Sequence, residues 1–220
     1  MYPKGWKRAV MHKMRIERAL PAENMEGKAS AATSWKTALY VVLLFVAVVL
    51  AFTLLGTITS PQLAQVGGTR PDETIPVHIV ELGVFGLLLG AAFVVIAGRN
   101  ALPLVVAAAS MTVLLDLDHL PAYLGYAEPI RPAHSLVFIV VVLAIMATTI
   151  KMLEIDLIVM SASLGHMAVD TGQFAPLSPF SFAYVQLDPY RISFAVVAVL
   201  CAVAAGLVLR PKKAAPRAGS

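Results

Sequence analysis

Cysteine is almost missing from this chain: Cys201 is the single one in 220 residues, and it lies inside an apolar run. A disulfide framework and a thiolate metal cluster are thereby excluded. Charge is scarce as well. Asp, Glu, Lys and Arg make up 14% of the residues, against about 25% in soluble domains, so little is left over for a separate soluble domain. The net charge of +4 sits on segments that flank apolar runs. Those segments have neither interleaved aromatics nor a groove-reading motif, so nucleic acid has no support as a partner. What the chain has in excess is apolar surface. Hydrophobic residues reach 59% with a mean hydropathy of +0.80, beyond the roughly 45–50% of soluble proteins. The composition is that of a membrane protein.

Residues 1–36 hold eight of the seventeen Lys and Arg residues, and Trp6, Val10 and Met14 recur there at i, i+4 spacing. Such a segment suits an interfacial helix on an anionic leaflet, with each basic side chain contributing about 1 kcal/mol. Pro21 and the small residues after it make 21–35 a linker. The apolar region begins too far along for a signal peptide. Apolar segments follow at 37–58, 76–98, 101–117, 134–150, 152–170 and 190–210, near the ~17–25 residues that a span requires. The expected fold is all-α: a polytopic membrane domain over 37–210, a bundle of about six transmembrane helices, between a basic tail at 1–36 and a second at 211–220.

Six spans place fourteen of the Lys and Arg residues on the side of the two termini and three, Arg70, Arg131 and Arg191, on the other. The positive-inside bias makes both termini cytoplasmic in a multi-pass protein of the cell membrane. That orientation gathers the polar residues. Asp116, Asp118 and His119 close a helix running outward, His134 opens the next, and His166 and Asp170 close the one after. His78 and Glu81 lie in the first turns of the second span. Four of the five histidines thus fall at outer helix ends, and a polar site at those ends is expected. The outer connections 120–133 and 171–189 are rich in Pro, Tyr and Phe, suited to the headgroup level or to the entrance for a lipid.

Ionisable residues at membrane depth are costly and mark function by default. His166 and Asp170 are i, i+4, and Asp116 and His119 are i, i+3, so each pair shares a helix face. Neutral imidazoles with carboxylates suit Zn, Mn or Fe(II), one ion or two. His78, Asp116, Asp118, His119, His134, His166 and Asp170 are the candidate metal ligands, and Glu81 is a candidate general base. Arg131 is a candidate clamp for an anionic substrate group, or an ion-pair partner of Asp118 or Glu128. Ser135 suits a helix cap, and Asp156, beside Lys151 and Glu154, suits a charged helix start.

The order of these elements carries a resemblance. His78 is followed by Asp116-Leu117-Asp118-His119, then Arg131-Pro132-Ala133-His134-Ser135, then His166 to Asp170, then Pro176-Leu177-Ser178-Pro179-Phe180-Ser181. Over residues 76–185 this resembles the YdjM-like (DUF457) family of membrane-bound metal-dependent hydrolases. That family's pattern runs from an early His through Asp-x-Asp-His, His-Arg-Gly-x-Thr-His-Ser and His-x-x-x-Asp to a Pro-containing loop. The third element here is one residue shorter and lacks its leading His, Pro129 and Ile130 occupying that region. Leu115 stands where the family commonly has Pro. Glu81 is a candidate replacement for the missing His.

The resemblance implies a metal-dependent hydrolase, and the convergence of ligands at the outer layer makes a phosphoester or ester of a lipid or lipid-linked molecule the expected substrate. Membrane lipids and a small-molecule or lipid substrate are the expected partners. Two other readings fit the same residues. A divalent cation or proton transporter would use the cluster as its binding site, although transport sites lie nearer the midplane. A metal-independent lipid phosphatase of the phosphatidic-acid-phosphatase type also ends its motif in His-x-x-x-Asp, but its Pro-Ser-Gly-His element is absent here.

Overall fold

The structure is a computed structural model that describes residues 34–59, 75–98, 101–123, 131–170, 173–181 and 183–210. The expected interfacial helix in the basic tail, the C-terminal tail and the connection around Glu128 lie outside the described residues. Ser34 accepts a hydrogen bond from Thr37 N at 3.1 Å and so caps α1, Trp35–Thr59. Helix α2, Ile75–Ala97, stops at Gly98, whose φ of +88° suits a residue without Cβ. Pro103 in the first turn of α3, Leu102–Leu114, occupies a position where its missing N–H costs nothing. The chain then tightens into a 3-10 segment, Leu115–His119, followed by one helical turn at Leu120–Tyr123. A second 3-10 turn, Pro132–His134, leads into α4, Leu136–Thr149. Helix α5 is Leu153–Val169 and α6 is Asp188–Leu209.

Six apolar helices therefore stand near the six expected ranges. Three segments, Trp35–Thr59, Leu102–His119 and Asp188–Leu209, are long and apolar enough to cross a membrane. Helices α4 and α5 are limited by length. The 14 residues of α4 and 17 of α5 extend about 21 and 26 Å, short of a hydrocarbon core of about 30 Å. Helix α5 also carries Glu154 and Asp156 in its first turn. A two-stranded antiparallel ribbon is added to the helices: Gln173–Phe174 pairs with Val185–Gln186.

Helix α5 is the centre of the packing, enclosed by α2, α3, α4 and α6, and every residue from Ser161 to Ala168 is buried. Ser161 Oγ donates to Ala198 O of α6 at 2.8 Å. On the other side Phe138 of α4 meets Phe45 and Phe52 of α1 edge-on, with centroids 5.7 and 5.4 Å apart, a favoured aromatic geometry. Glycine at 56 lets α1 touch the turn that carries His134. A Cβ there would lie 2.8 Å from Pro132 Cγ.

These contacts bring five chain ends together: the last turn of α1, the 3-10 end of α3, the starts of α4 and α6, and the end of α5. The ribbon loop joins them, because Pro176 O accepts from Leu136 N at 3.0 Å and from Val137 N at 3.4 Å. The polar residues converge at this end.

Candidate metal centre

Helix geometry changes where the first polar pair sits. In the 3-10 segment residues i and i+3 eclipse one another, and Asp116 Oδ1 lies 3.6 Å from His119 Nε2. Ser135 starts α4, accepting from Phe138 N at 3.0 Å and donating to Pro132 O at 2.8 Å. The turn between those two bonds aims His134 inward. Asp170 is the first residue past α5, with extended backbone and its N–H bonded to His166 O at 3.0 Å. Arg191, from the first turn of α6, holds that helix end: Nε donates to Ala168 O at 3.0 Å and Nη2 to Val169 O at 3.3 Å.

The two central imidazoles have fixed partners on their Nδ1 atoms. His166 Nδ1 donates to Thr112 O at 2.6 Å, since a carbonyl only accepts. His134 Nδ1 lies 2.9 Å from Asp118 Oδ2, the carboxylate–histidine pairing that orients metal-ligating rings. Both Nε2 atoms then face the centre, 2.7 Å apart. With their ring protons committed on Nδ1, two Nε2 lone pairs approach this closely only around a cation. At 2.7 Å that cation is a shared proton, and a divalent ion between the rings would need them slightly farther apart.

Carboxylates surround the same spot. Asp116 Oδ1 is 3.4 Å from His166 Nε2 and 3.6 Å from His134 Nε2, and Asp170 Oδ2 is also 3.6 Å from His134 Nε2. Donors placed tetrahedrally at about 2.0–2.2 Å from a metal stand about 3.3–3.6 Å apart, so each of these three pairs is spaced as two ligands of one ion would be. The 2.7 Å between the imidazoles is shorter and matches a hydrogen bond with one proton. Two groups of donors satisfy the spacing for an ion, Asp116, Asp118, His119 and His134, and His134, His166 and Asp170. A metal ion can be held here.

Charge points the same way. Three carboxylates face one guanidinium, leaving a formal −2 with neutral imidazoles. Arg131 Nη1 donates to Asp170 Oδ2 at 2.6 Å and Nη2 donates to His119 Nε2 at 2.7 Å. Asp118, His134, His166 and Asp170 are at most 4% exposed, and charge buried to that degree requires compensation. The side chains of Asp116, His119 and Arg131 are 16, 16 and 24% exposed, forming a rim that opens the buried set to solvent.

Seven of the nine residues singled out from the sequence meet at this end. The other two, His78 and Glu81, belong to α2, and their side chains lie outside the described residues. Among the described residues Arg131 forms an ion pair with Asp170, and Glu128 lies outside them. Two contributors had no signal in the sequence. Thr112 takes part through its backbone carbonyl, and Arg191 acts from a helix start 21 residues beyond Asp170. No family model, curated protein or solved structure matches the chain.

Proposed function

We propose that this chain is a six-span membrane protein with cytoplasmic termini whose cluster binds a divalent metal and hydrolyses a phosphoester or ester of a lipid or lipid-linked molecule at the outer interface. The metal reading is carried by one observation: two groups of largely buried donors that meet at His134, one of Asp116, Asp118, His119 and His134 and the other of His134, His166 and Asp170, each lie close enough together to hold an ion. Thr112 and Asp118 hold the two imidazoles in the tautomer that ligation needs. Bound there, a divalent ion supplies Lewis acidity at neutral pH. The partly exposed Arg131 offers its guanidinium fork at the rim, where a phosphate or carboxylate group can approach.

The one-ended placement of the cluster favours an enzyme over a transporter. Donors stand at helix ends, while α4 from Leu136 to Thr149 carries no charged residue. The hydrolase class, the lipid substrate, the six spans and the YdjM-like kinship rest on the sequence pattern. The test is elemental analysis of chain purified in detergent, combined with hydrolysis of phosphoester and carboxylester lipids in mixed micelles before and after chelation. About one or more Zn, Mn or Fe per chain, with hydrolysis lost on chelation and restored by metal, is the expected result. Protein free of metal, or a His166→Ala variant with unchanged metal content, overturns the metal reading. Hydrolysis that survives chelation favours the metal-independent phosphatase, and ion uptake into sealed proteoliposomes favours a transporter.

A further inference from the structure

Asp116 Oδ1 faces three imidazole nitrogens, lying 3.4 Å from His166 Nε2, 3.6 Å from His134 Nε2 and 3.6 Å from His119 Nε2. The first two belong to the buried donor set. The third belongs to the partly exposed His119 at the rim, which forms a donor group with Asp116, Asp118 and His134. Asp118 Oδ1 is 4.0 Å from His119 Nε2. That oxygen is buried and makes no hydrogen bond among the described residues, although its twin Oδ2 is engaged by His134. A buried carboxylate oxygen without a donor is costly in proportion to its charge, and this one faces the rim pocket of His119.

A cation already stands at that pocket. A guanidinium only donates, so His119 Nε2 accepts from Arg131 Nη2 with its lone pair, as it would toward a metal ion. The same guanidinium neutralises Asp170 of the buried set through Nη1. Arg131 therefore bridges the two halves of the cluster, bonded to one donor from each.

We infer that the cluster is a two-cation centre in which Asp116 is shared, with Asp118 Oδ1 and His119 Nε2 completing a second position that Arg131 now neutralises. This rests on the metal reading above and adds the number of ions and the identity of the rim ligands. Paired ions about 3.5–4 Å apart, joined by a shared carboxylate, suit the hydrolysis of phosphoesters. Arg131 competes with the second ion for His119. An anionic substrate group that draws the guanidinium outward favours filling of the second position, so substrate and second ion bind cooperatively.

The experiment uses the full chain in detergent, equilibrated with Mn2+ alone and read by metal-to-protein ratio and electron paramagnetic resonance. The wild type is expected to hold two Mn2+ in two affinity steps, with the spectrum of an exchange-coupled pair. His119→Ala and the bulkier His119→Gln should each hold one and give an uncoupled six-line spectrum. Arg131→Gln, which keeps a polar side chain but removes the competing charge, should tighten the second step by about tenfold. A wild type that saturates at one uncoupled Mn2+ overturns the second position and leaves the single-metal reading standing. A wild type that binds none overturns both. Two coupled ions retained in both His119 variants also overturn the assignment.

Discussion

His134 Nδ1 and Asp118 Oδ2 face each other across 2.9 Å with each side chain at most 1% exposed. The carboxylate holds the ring so that Nε2 points at His166, and it makes His134 a better donor toward a cation. Asp118→Asn keeps the size of the side chain and loses the charge. Metal affinity is expected to fall about 10–100-fold, measured by competition for Zn2+ with a chromophoric chelator. Unchanged affinity would mean that the pair only fills space.

Arg191 supports the site from a distance. Its guanidinium donates to the carbonyls of Ala168 and Val169, the last turn of the helix that presents His166 and Asp170, and places positive charge where the helix dipole is negative. It also lies 3.7 Å from Asp188, but that contact is largely exposed and contributes little. Arg191→Ala is expected to cost about 1–2 kcal/mol, allowing for the exposure of the side chain, and to lower the unfolding midpoint by roughly 2–8 °C. Metal affinity should fall in the same variant, because Asp170 loses its fixed backbone. Arg191→Lys should recover only part, since an ammonium cannot span two carbonyls as the fork does. Thermal unfolding in detergent with a parallel Zn2+ titration reads both effects.

How much of this was legible in the residues differs from element to element. The i, i+4 spacing of His166 and Asp170 was enough to put both on one face, although Asp170 ends up just past the helix, where its extended backbone still allows contact with Arg131. The Asp116–His119 pair was legible as a pair. The change from α to 3-10 at Leu115, which eclipses the two side chains, was not, because nothing in Leu-Asp-Leu-Asp-His excludes a further α turn. Arg131 was legible as the partner of an anion, and one such partner is Asp170, 39 residues away, brought within reach by the packing of α4 on α5. Apolar composition located six helices. It could not say how many cross a bilayer, since α4 and α5 are shorter than the apolar runs that contain them. Thr112 carries no signal in the sequence because its contribution is a carbonyl, which every residue has.

Close packing along α2 makes a paired prediction. Gly86 lies against α3, and a Cβ there would fall 2.9 Å from Ala109 Cα, a backbone atom that cannot turn aside. Gly83, one turn earlier, has nothing within 4 Å. Gly86→Ala should therefore force the helices apart and destabilise by about 1–3 kcal/mol. Gly83→Ala should be neutral or stabilising by up to about 1 kcal/mol, from helix propensity alone. Melting curves of the two variants side by side check the contrast, and equal shifts would show that α2 and α3 do not pack as described.

Metal removal is expected to loosen the fold as well as the chemistry. Asp116, Asp118 and Asp170 crowd one spot with Arg131 as the counter-charge, so the ion-free chain holds excess negative charge in a largely buried place. A ligand that binds only the folded state stabilises it by about 2.7 kcal/mol at one hundred times its dissociation constant. For a chain of this size that corresponds to an unfolding midpoint roughly 5–11 °C higher. Chelation should lower the midpoint by that amount, and Zn2+ or Mn2+ should restore it with a dependence on concentration. In His166→Ala the response of the midpoint to chelator and metal should shrink, because that substitution removes a buried donor while leaving Arg131 on Asp170. A wild-type midpoint indifferent to chelator, in protein shown to have carried metal beforehand, would place the ion somewhere other than this cluster.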